Sequence, residues 1–144
     1  MDVHIYQAAL LCEDCGKAKR RELRKRGFAP RSPNNESTYD SDDYPKGPYL
    51  DGGGEADSPQ HCDNQDECLN AESLKWRGRA VGKVGAFLEN PLTSKGVEYL
   101  CEMVAKRGSS DYQKALHKLW LDYYRHEGYA KEVAKGVREN TRNR

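Results

Sequence analysis

Four of the five cysteines form two close pairs. Cys12 and Cys15 are separated by two residues, whereas Cys62 and Cys68 are separated by five. Two thiolates a few residues apart can face one tetrahedral zinc ion, and a second pair from elsewhere in the chain completes its ligands. The sequence therefore predicts one structural Zn2+ held by Cys12, Cys15, Cys62 and Cys68. Gly16 follows the first pair, where a tight knuckle often needs a positive φ.

These thiols are also compatible with other chemistry. A Cys-x2-Cys pair occurs at redox sites, but such sites need a βαβ context that the pattern does not indicate. Two disulfides would need an oxidising compartment, and the first residues, MDVHIYQAAL, lack the basic start of a secretory signal. His61 precedes Cys62 and is an alternative to Cys68 as fourth ligand, or a residue that supports the ligands. Cys101 lies on a predicted helix face and is expected in the core.

A dense group of cations directly follows the first cysteine pair. Residues 17–26 contain strong helix formers and are followed by Gly27, so a helix is predicted there. Its one acid is Glu22, and its seven cations are Lys17, Lys19, Arg20, Arg21, Arg24, Lys25 and Arg26. Clustered cations displace counterions from nucleic acid, so we predict that these side chains contact nucleic acid or another partner. The alternatives are a solvated helix face and a partner for the chain's own acidic loop.

A long acidic segment separates the two cysteine pairs. Turn-forming residues begin at residue 29, and residues 36–67 contain ten acids against the single cation Lys46. We expect a loop over about residues 29–60, with Tyr39, Tyr44 and Tyr49 pinning it to the body of the domain. Such a loop would shield the zinc site or mimic nucleic acid toward a basic protein.

The remaining pattern predicts strands followed by helices. Residues 3–11 are apolar-rich and predict one short strand, and residues 74–87 contain three glycines and predict a β-hairpin or two short strands. Three helices are expected after them, with starts indicated by Thr93 or Ser94, by the capping box Ser110-x-x-Gln113 and by Ala130. The apolar face expected for the second of these helices consists of Tyr112, Leu116, Leu119, Trp120 and Tyr123.

These elements indicate an α+β fold. Residues 1–92 are predicted to form a small zinc ribbon or knuckle with a short antiparallel β element and the long acidic loop. Residues 93–144 are predicted to form a helical C-terminal region that packs on it.

Three strings in the chain resemble those of small, uncharacterised zinc-ribbon-like proteins of bacteriophages and bacterial mobile elements. The strings are ALLCEDCG at 9–16, GPYLDGGGEADSPQHCD at 47–63 and FLENPLT at 87–93. The resemblance spans roughly the first 95 residues. It implies that both cysteine pairs bind one zinc ion in a phage-like setting, and it carries no assigned activity. The second pair departs from the tighter Cys-x2-Cys expected of that group.

Composition and motifs favour a binding protein. The 144 residues balance 24 Lys and Arg against 23 Asp and Glu, and no apolar run approaches the ~20 residues of a bilayer span. Four thiolates leave zinc no open position for hydrolysis, and P-loop, Gly-x-Ser-x-Gly and His-Glu-x-x-His patterns do not occur. We therefore predict a non-enzymatic, cytoplasmic zinc-binding accessory protein of phage type. It would act on nucleic acid or its machinery in a bacterial host, without a membrane or small-molecule partner.

Two alternatives remain open at this point. The first is a regulator or inhibitor of a bacterial host or defence protein, acting through the acidic loop or the C-terminal helices. The second is a zinc-dependent hydrolase or nuclease that uses Glu55, Asp57 and His61.

Overall fold

The computed structural model describes residues 2–50 and 54–142, with side chains to residue 138. The elements are β1 Val3–Tyr6, β2 Ala9–Cys12, α1 Glu13–Lys25, β3 Lys46–Tyr49, β4 Glu72–Trp76, β5 Arg79–Val84, α2 Ser94–Ala105, α3 Asp111–His126 and α4 Ala130–Arg142. This order confirms the α+β class. In the described part of the chain, none of the helices combines the length and apolarity that a bilayer crossing needs. Residues 51–53 of the predicted acidic loop and the last two residues of the predicted C-terminal region lie outside the described residues.

The chain divides into two compact units, each assembled from separated stretches. The N-terminal unit comprises Met1–Gly54, Gln60–Ala71 and Val84–Asn90, and the C-terminal unit comprises Glu55–Pro59, Glu72–Lys83 and Pro91–Arg144. The predicted division of the chain after residue 92 stays a prediction.

A three-stranded antiparallel sheet with the order β2-β1-β3 forms the frame of the N-terminal unit. The single strand predicted over residues 3–11 is wrong, because the chain reverses at Gln7 and Ala8 and returns as β2. Both turn residues have positive φ, 50° and 62°. A two-residue turn of this hand matches the twist of paired strands. Neither residue is the Gly, Asn or Asp that usually signals such a turn, which explains the error.

Part of the predicted acidic loop is ordered against α1. β3 lies within the loop and pairs with β1, and Tyr44 is fully buried. The Arg20 guanidinium donates hydrogen bonds to the carbonyls of Pro45 and Gly47, both at 3.0 Å. Of the interpretations left open for these cations, Arg20 therefore follows the one in which the helix is a partner for the chain's own acidic loop, and it holds the loop through its backbone.

Local capping signals position the helices of the C-terminal unit. The Thr93 side chain accepts a hydrogen bond from the backbone N–H of Gly96 and caps α2. The predicted capping box of Ser110 and Gln113 is present at the start of α3. The predicted hairpin is also present, as β4 and β5. α2 and α4 approach closely at Gly136, where a Cβ atom would overlap the Val104 side chain.

The buried face of α3 is rotated from the predicted one. Ala115, Trp120 and Tyr124 are its buried residues, whereas Tyr112 is 41% exposed. The predicted face included Tyr112 and left out Ala115 and Tyr124. The structure selects the residues that meet the neighbouring helices and strands, and a small alanine belongs to that face.

His4 is a buried titratable group inside the N-terminal unit. It lies in β1, is only 1% exposed, and packs so closely on α1 that a Cβ atom at Gly16 would overlap its ring. Its Nδ1 is buried without a hydrogen-bond partner among the described residues. Burial, reinforced by the positive charge of Arg20, lowers the pKa of His4 from 6.5 to about 4. The ring is therefore neutral in the folded protein at neutral pH.

We predict that His4 makes the protein less stable as the pH falls. Between these two pKa values the unfolded chain binds a proton at His4 and the folded chain does not, so protonation favours unfolding. From about pH 7 to about pH 5 the wild type should lose about 2 kcal/mol more free energy of unfolding than His4→Leu. Urea unfolding of both chains at both pH values measures this difference. Equal losses in the two chains would contradict the prediction.

Candidate metal centre

The four paired cysteines meet in the N-terminal unit. All are buried, and their Sγ atoms lie within 4.8 Å of one another. The Sγ atoms of Cys12 and Cys68 are 3.7 Å apart. Zinc–sulfur bonds of about 2.3 Å in a tetrahedron place sulfurs about 3.8 Å apart, whereas a disulfide bond is about 2.05 Å long. The spacing therefore fits one four-coordinate ion and not a pair of disulfides.

The first pair lies at a junction between a strand and a helix. Cys12 ends β2 and is the N-cap residue of α1, and Cys15 lies in the first turn of that helix. The helix begins at Glu13, four residues before the predicted start. Gly16 is consequently helical, and the expected positive φ at this residue is wrong. A small residue is needed at this position because of the contact with His4.

The zinc ribbon that was predicted for residues 1–92 is not confirmed.

The second pair is brought together by a single 3-10 turn. The turn spans Gln65–Glu67, and the N–H of Cys68 donates to the carbonyl of Gln65 at 3.1 Å. Helical winding shortens the distance that the intervening residues span, so the wide spacing still brings both thiols to one point. The Cys62 end is held by Ala86, whose carbonyl accepts from the Cys62 N–H at 2.8 Å. A Cβ atom at Gly85 would overlap the Cys62 carbonyl, so this approach requires glycine.

Each of the four sulfurs accepts a hydrogen bond from nitrogen. The backbone N–H of Cys12 donates to Cys62 Sγ at 3.4 Å, that of Leu69 to Cys15 Sγ at 3.3 Å and that of Asn70 to Cys68 Sγ at 3.3 Å, while Asn70 Nδ2 donates to Cys12 Sγ at 3.6 Å. Donors aimed at sulfur stabilise its negative charge and orient metal-binding thiolates. The donor set therefore fits thiolates rather than neutral thiols.

Burial alone disfavours that charge. It raises the pKa of Cys12 to about 11 and raises the pKa of Cys62 well above its usual range. Burial acts in the same direction on Cys68, but N–H donors from Ala86 and Asn70, together with hydrogen bonds from the Cys62 and Cys12 side chains, outweigh it and lower the pKa of this thiol. A divalent cation bound to the sulfurs would offset the cost of burying their negative charge, because metal coordination deprotonates a thiol. The residues present therefore fit a metal ion.

His61 is not part of the sulfur cluster. Its Nδ1 lies 3.0 Å from the carbonyl oxygen of Gly85, and its ring packs on Phe87 with the ring centroids 4.3 Å apart. Cys68 completes the group of close ligand atoms in the described residues. Of the residues named for the nuclease alternative, Asp57 accepts a hydrogen bond from the Thr93 hydroxyl at 2.6 Å, and Glu55 is exposed.

Sequence reasoning missed Asn70. Besides its two contacts to sulfur, its side-chain amide donates to the Asp14 carboxylate at 2.9 Å, so it links the two cysteine pairs. An amide side chain two residues after a ligand cysteine is a weak signal by itself. Only the reversal of the chain after Cys68 turns its N–H groups toward the sulfurs.

Comparisons of the chain with protein-family models, with curated protein sequences and with solved structures find no match. The class of the protein is therefore defined by its own geometry. It is an α+β protein with a buried cluster of four cysteines that could hold a metal ion.

We predict one zinc ion per chain. Elemental analysis of the purified protein should give a zinc-to-protein ratio near one, because a tetrahedral site takes a single ion. Structural zinc contributes on the order of 10 kcal/mol to coupled folding, so a strong chelator should unfold the N-terminal unit.

The fifth cysteine provides a matched control for this measurement. Cys68→Ser should lose the metal, and Cys101→Ser should keep it, because the Cys101 thiol lies in α2 and donates to the carbonyl of Glu132 at 3.5 Å. A wild-type chain that is fully folded without metal would exclude the site. Iron bound at the same ratio would confirm a metal site and would identify the ion as iron rather than zinc.

We also predict that Asn70→Ala weakens zinc binding by about tenfold or more, the loss expected when a group that orients metal ligands is removed. Asn64→Ala is the control, because the contact of Asn64 to Cys62 comes from its backbone N–H, which the substitution retains. Competition titration with a zinc-binding dye measures both affinities. Equal affinities in the two variants would show that the Asn70 side chain does not support the metal.

Proposed function

We propose that this chain is a non-enzymatic binding protein in which Cys12, Cys15, Cys62 and Cys68 hold one structural zinc ion and α1 contacts nucleic acid. The observation that carries the proposal is the position of α1 on the metal centre. Cys12 occupies the N-cap position of this helix and Cys15 lies in its first turn. An ion bound there would fix the start of the helix and hence the direction of its exposed side chains.

The exposed face of α1 is cationic. Lys17, Arg21, Arg24 and Lys25 are exposed and recur at helical spacing. Lys17 pairs with Glu13 at 2.7 Å. Within residues 2–50 and 54–142, the other three cations form no ion pair with an acid. Their charge is therefore available to phosphate groups.

The other cations of the predicted set have partners in the fold. Arg20 holds backbone carbonyls, and Lys19 pairs with Glu22 at 3.0 Å. Arg26 lies 3.6 Å from the same carboxylate. The proposal therefore rests on Arg21, Arg24 and Lys25, with Lys17 beside them.

Zinc is the proposed ion because tetrahedral sites made of four thiolates take zinc or iron, and closed sites of this kind are usually structural zinc. A fully coordinated ion has no open position for water, which supports a structural role over a hydrolytic one. The proposed accessory role of phage type in a bacterial cytoplasm rests only on the resemblance drawn from the sequence strings of the first 95 or so residues, for which the comparisons find no match.

We predict that replacing Arg21, Arg24 and Lys25 together by Ala weakens binding to random duplex DNA or RNA. The dependence of log affinity on log salt should flatten by up to about 0.9 for each lost duplex-phosphate contact. Fluorescence anisotropy over a salt series measures both effects. Folding should persist because the three side chains are exposed.

A matched variant tests whether the effect belongs to this helix. Lys131, Lys135 and Arg138 are also exposed cations on a helix, α4, and their replacement by Ala removes the same charge. This control should bind nearly as the wild type does. No binding by the wild type at low salt, or equal losses in the two triple variants, would contradict a role for α1.

A further inference from the structure

The C-terminal unit contains an apolar groove of about 560 Å³ between the end of α2 and the first turns of α3. Such a volume lies within the ~300–1,000 Å³ typical of ligand sites. Its apolar lining consists of Met103, Tyr112, Leu116 and Trp120. Met103 and Tyr112 remain 36% and 41% exposed, although large apolar side chains of this kind are usually covered.

The walls of the groove are held in place by hydrogen bonds. His117 Nε2 donates to the Val104 carbonyl at 2.8 Å and joins α3 to the last turn of α2. The Gln113 side chain accepts from the N–H groups of Ser109 and Ser110 at 3.0 and 3.1 Å. The Tyr112 ring covers Gly82, where a Cβ atom would lie 2.9 Å from two ring carbons. The groove is therefore formed before any ligand binds, which lowers the entropy lost on binding.

The described residues that line the groove include two cations and no acid, and the nearest acids along the chain, Glu102 and Asp111, are exposed neighbours of lining residues. Lys106 and Arg107 line it, and Lys114 follows Gln113 on the same turn of α3. The Arg107 guanidinium and Lys114 Nζ lie 5.4 and 5.9 Å from the centroid of the Trp76 ring. In the described part of the chain, these three cations form no ion pair. The groove is therefore complementary to a negatively charged ligand that also carries apolar groups.

We propose that this groove binds an acidic amphipathic segment of a partner protein. Apolar side chains spaced along one face of a helix would enter between α2 and α3, which is how helical peptides bind hydrophobic grooves. Acidic side chains beside them would meet Lys106, Arg107 and Lys114, and this complementarity would speed association and set the direction of the segment.

A single-stranded nucleic acid fits the groove less well. Stacking needs an aromatic ring with a free face. Trp120 is only 9% exposed, and the Trp76 ring is already in contact with two cations. The groove lies in the C-terminal unit and shares no residue with α1, so the peptide proposal does not depend on nucleic-acid binding.

Selection from a random peptide library on the full-length chain tests the proposal. Peptides of about 12 residues suffice, because they form roughly three helical turns. Enriched peptides should combine acidic residues with apolar residues at helical spacing. The chain has two tryptophans. Trp120 lines the groove, and the Trp76 ring centroid lies 5.4 Å from the guanidinium of Arg107, which also lines it. A synthetic copy of an enriched peptide, itself free of tryptophan, should therefore change the protein's tryptophan emission in a saturable way.

Substitutions at the groove identify the binding site. Met103→Glu places a negative charge at the mouth of the groove, where it would repel an acidic peptide. Arg107→Glu reverses the charge of a cation at the edge of the groove. Each should weaken peptide binding by about tenfold or more. Lys135→Glu on α4 is the matched control for charge and should bind as the wild type does. Circular dichroism of each variant verifies that it is folded.

Several results would overturn the proposal. One is enrichment of peptides that lack an excess of acidic residues, and another is wild-type affinity in Met103→Glu. A third is displacement of the peptide by single-stranded oligonucleotides at lower concentration than by a second acidic peptide. Self-association in sedimentation experiments that is abolished by Met103→Glu would assign the groove to a second copy of this chain.

Discussion

The N-terminal unit depends on the packing of four sulfur atoms that carry charge when they bind a metal. Its buried cluster contains eight residues, and half of them are the paired cysteines, the others being Val3, Leu11, Ala86 and Leu88. Thiols are small side chains that contribute little apolar area. A cation that bonds all four would cross-link β2, α1 and the Cys62 loop at one point. Metal binding and folding of this unit would then be one equilibrium.

The C-terminal unit is stabilised in a different way. Leu100, Val104, Trp120 and Val133 are large apolar side chains buried between its helices, and their area supplies the hydrophobic driving force without an ion. The N-termini of α2 and α3 have side-chain caps at Thr93 and Ser110. The interface of α2 with α3 leaves a groove with a cationic edge, whereas the N-terminal unit presents a cationic helix. Positive charge therefore lies on an exposed helix in one unit and beside an apolar groove in the other. This difference is the basis for proposing nucleic acid as the ligand of the first and an acidic peptide as the ligand of the second.

The sequence predicted the features that are encoded by neighbouring residues. The cysteine spacing indicated the four side chains that meet. Thr93 and Ser110 indicated helix starts, because a cap needs only a side-chain oxygen and the N–H groups of the next turn. The turn at Gln7 and Ala8 was missed because neither residue has the usual intrinsic preference for positive φ. The early start of α1 was missed because the first cysteine pair was expected to form a separate knuckle.

The sequence by itself determined the class of the fold, three of the four close cysteines and most helix starts, because these depend on residue type and spacing. Only the tertiary structure decided how the distant groups meet. It brought Cys68 rather than His61 to the sulfur cluster, turned the Asn70 amide toward Cys12, and engaged Arg20 with the loop that contains β3. Each of these contacts joins residues far apart in the chain. Which contact forms depends on packing and chain reversal, and these are physical constraints that no local pattern contains.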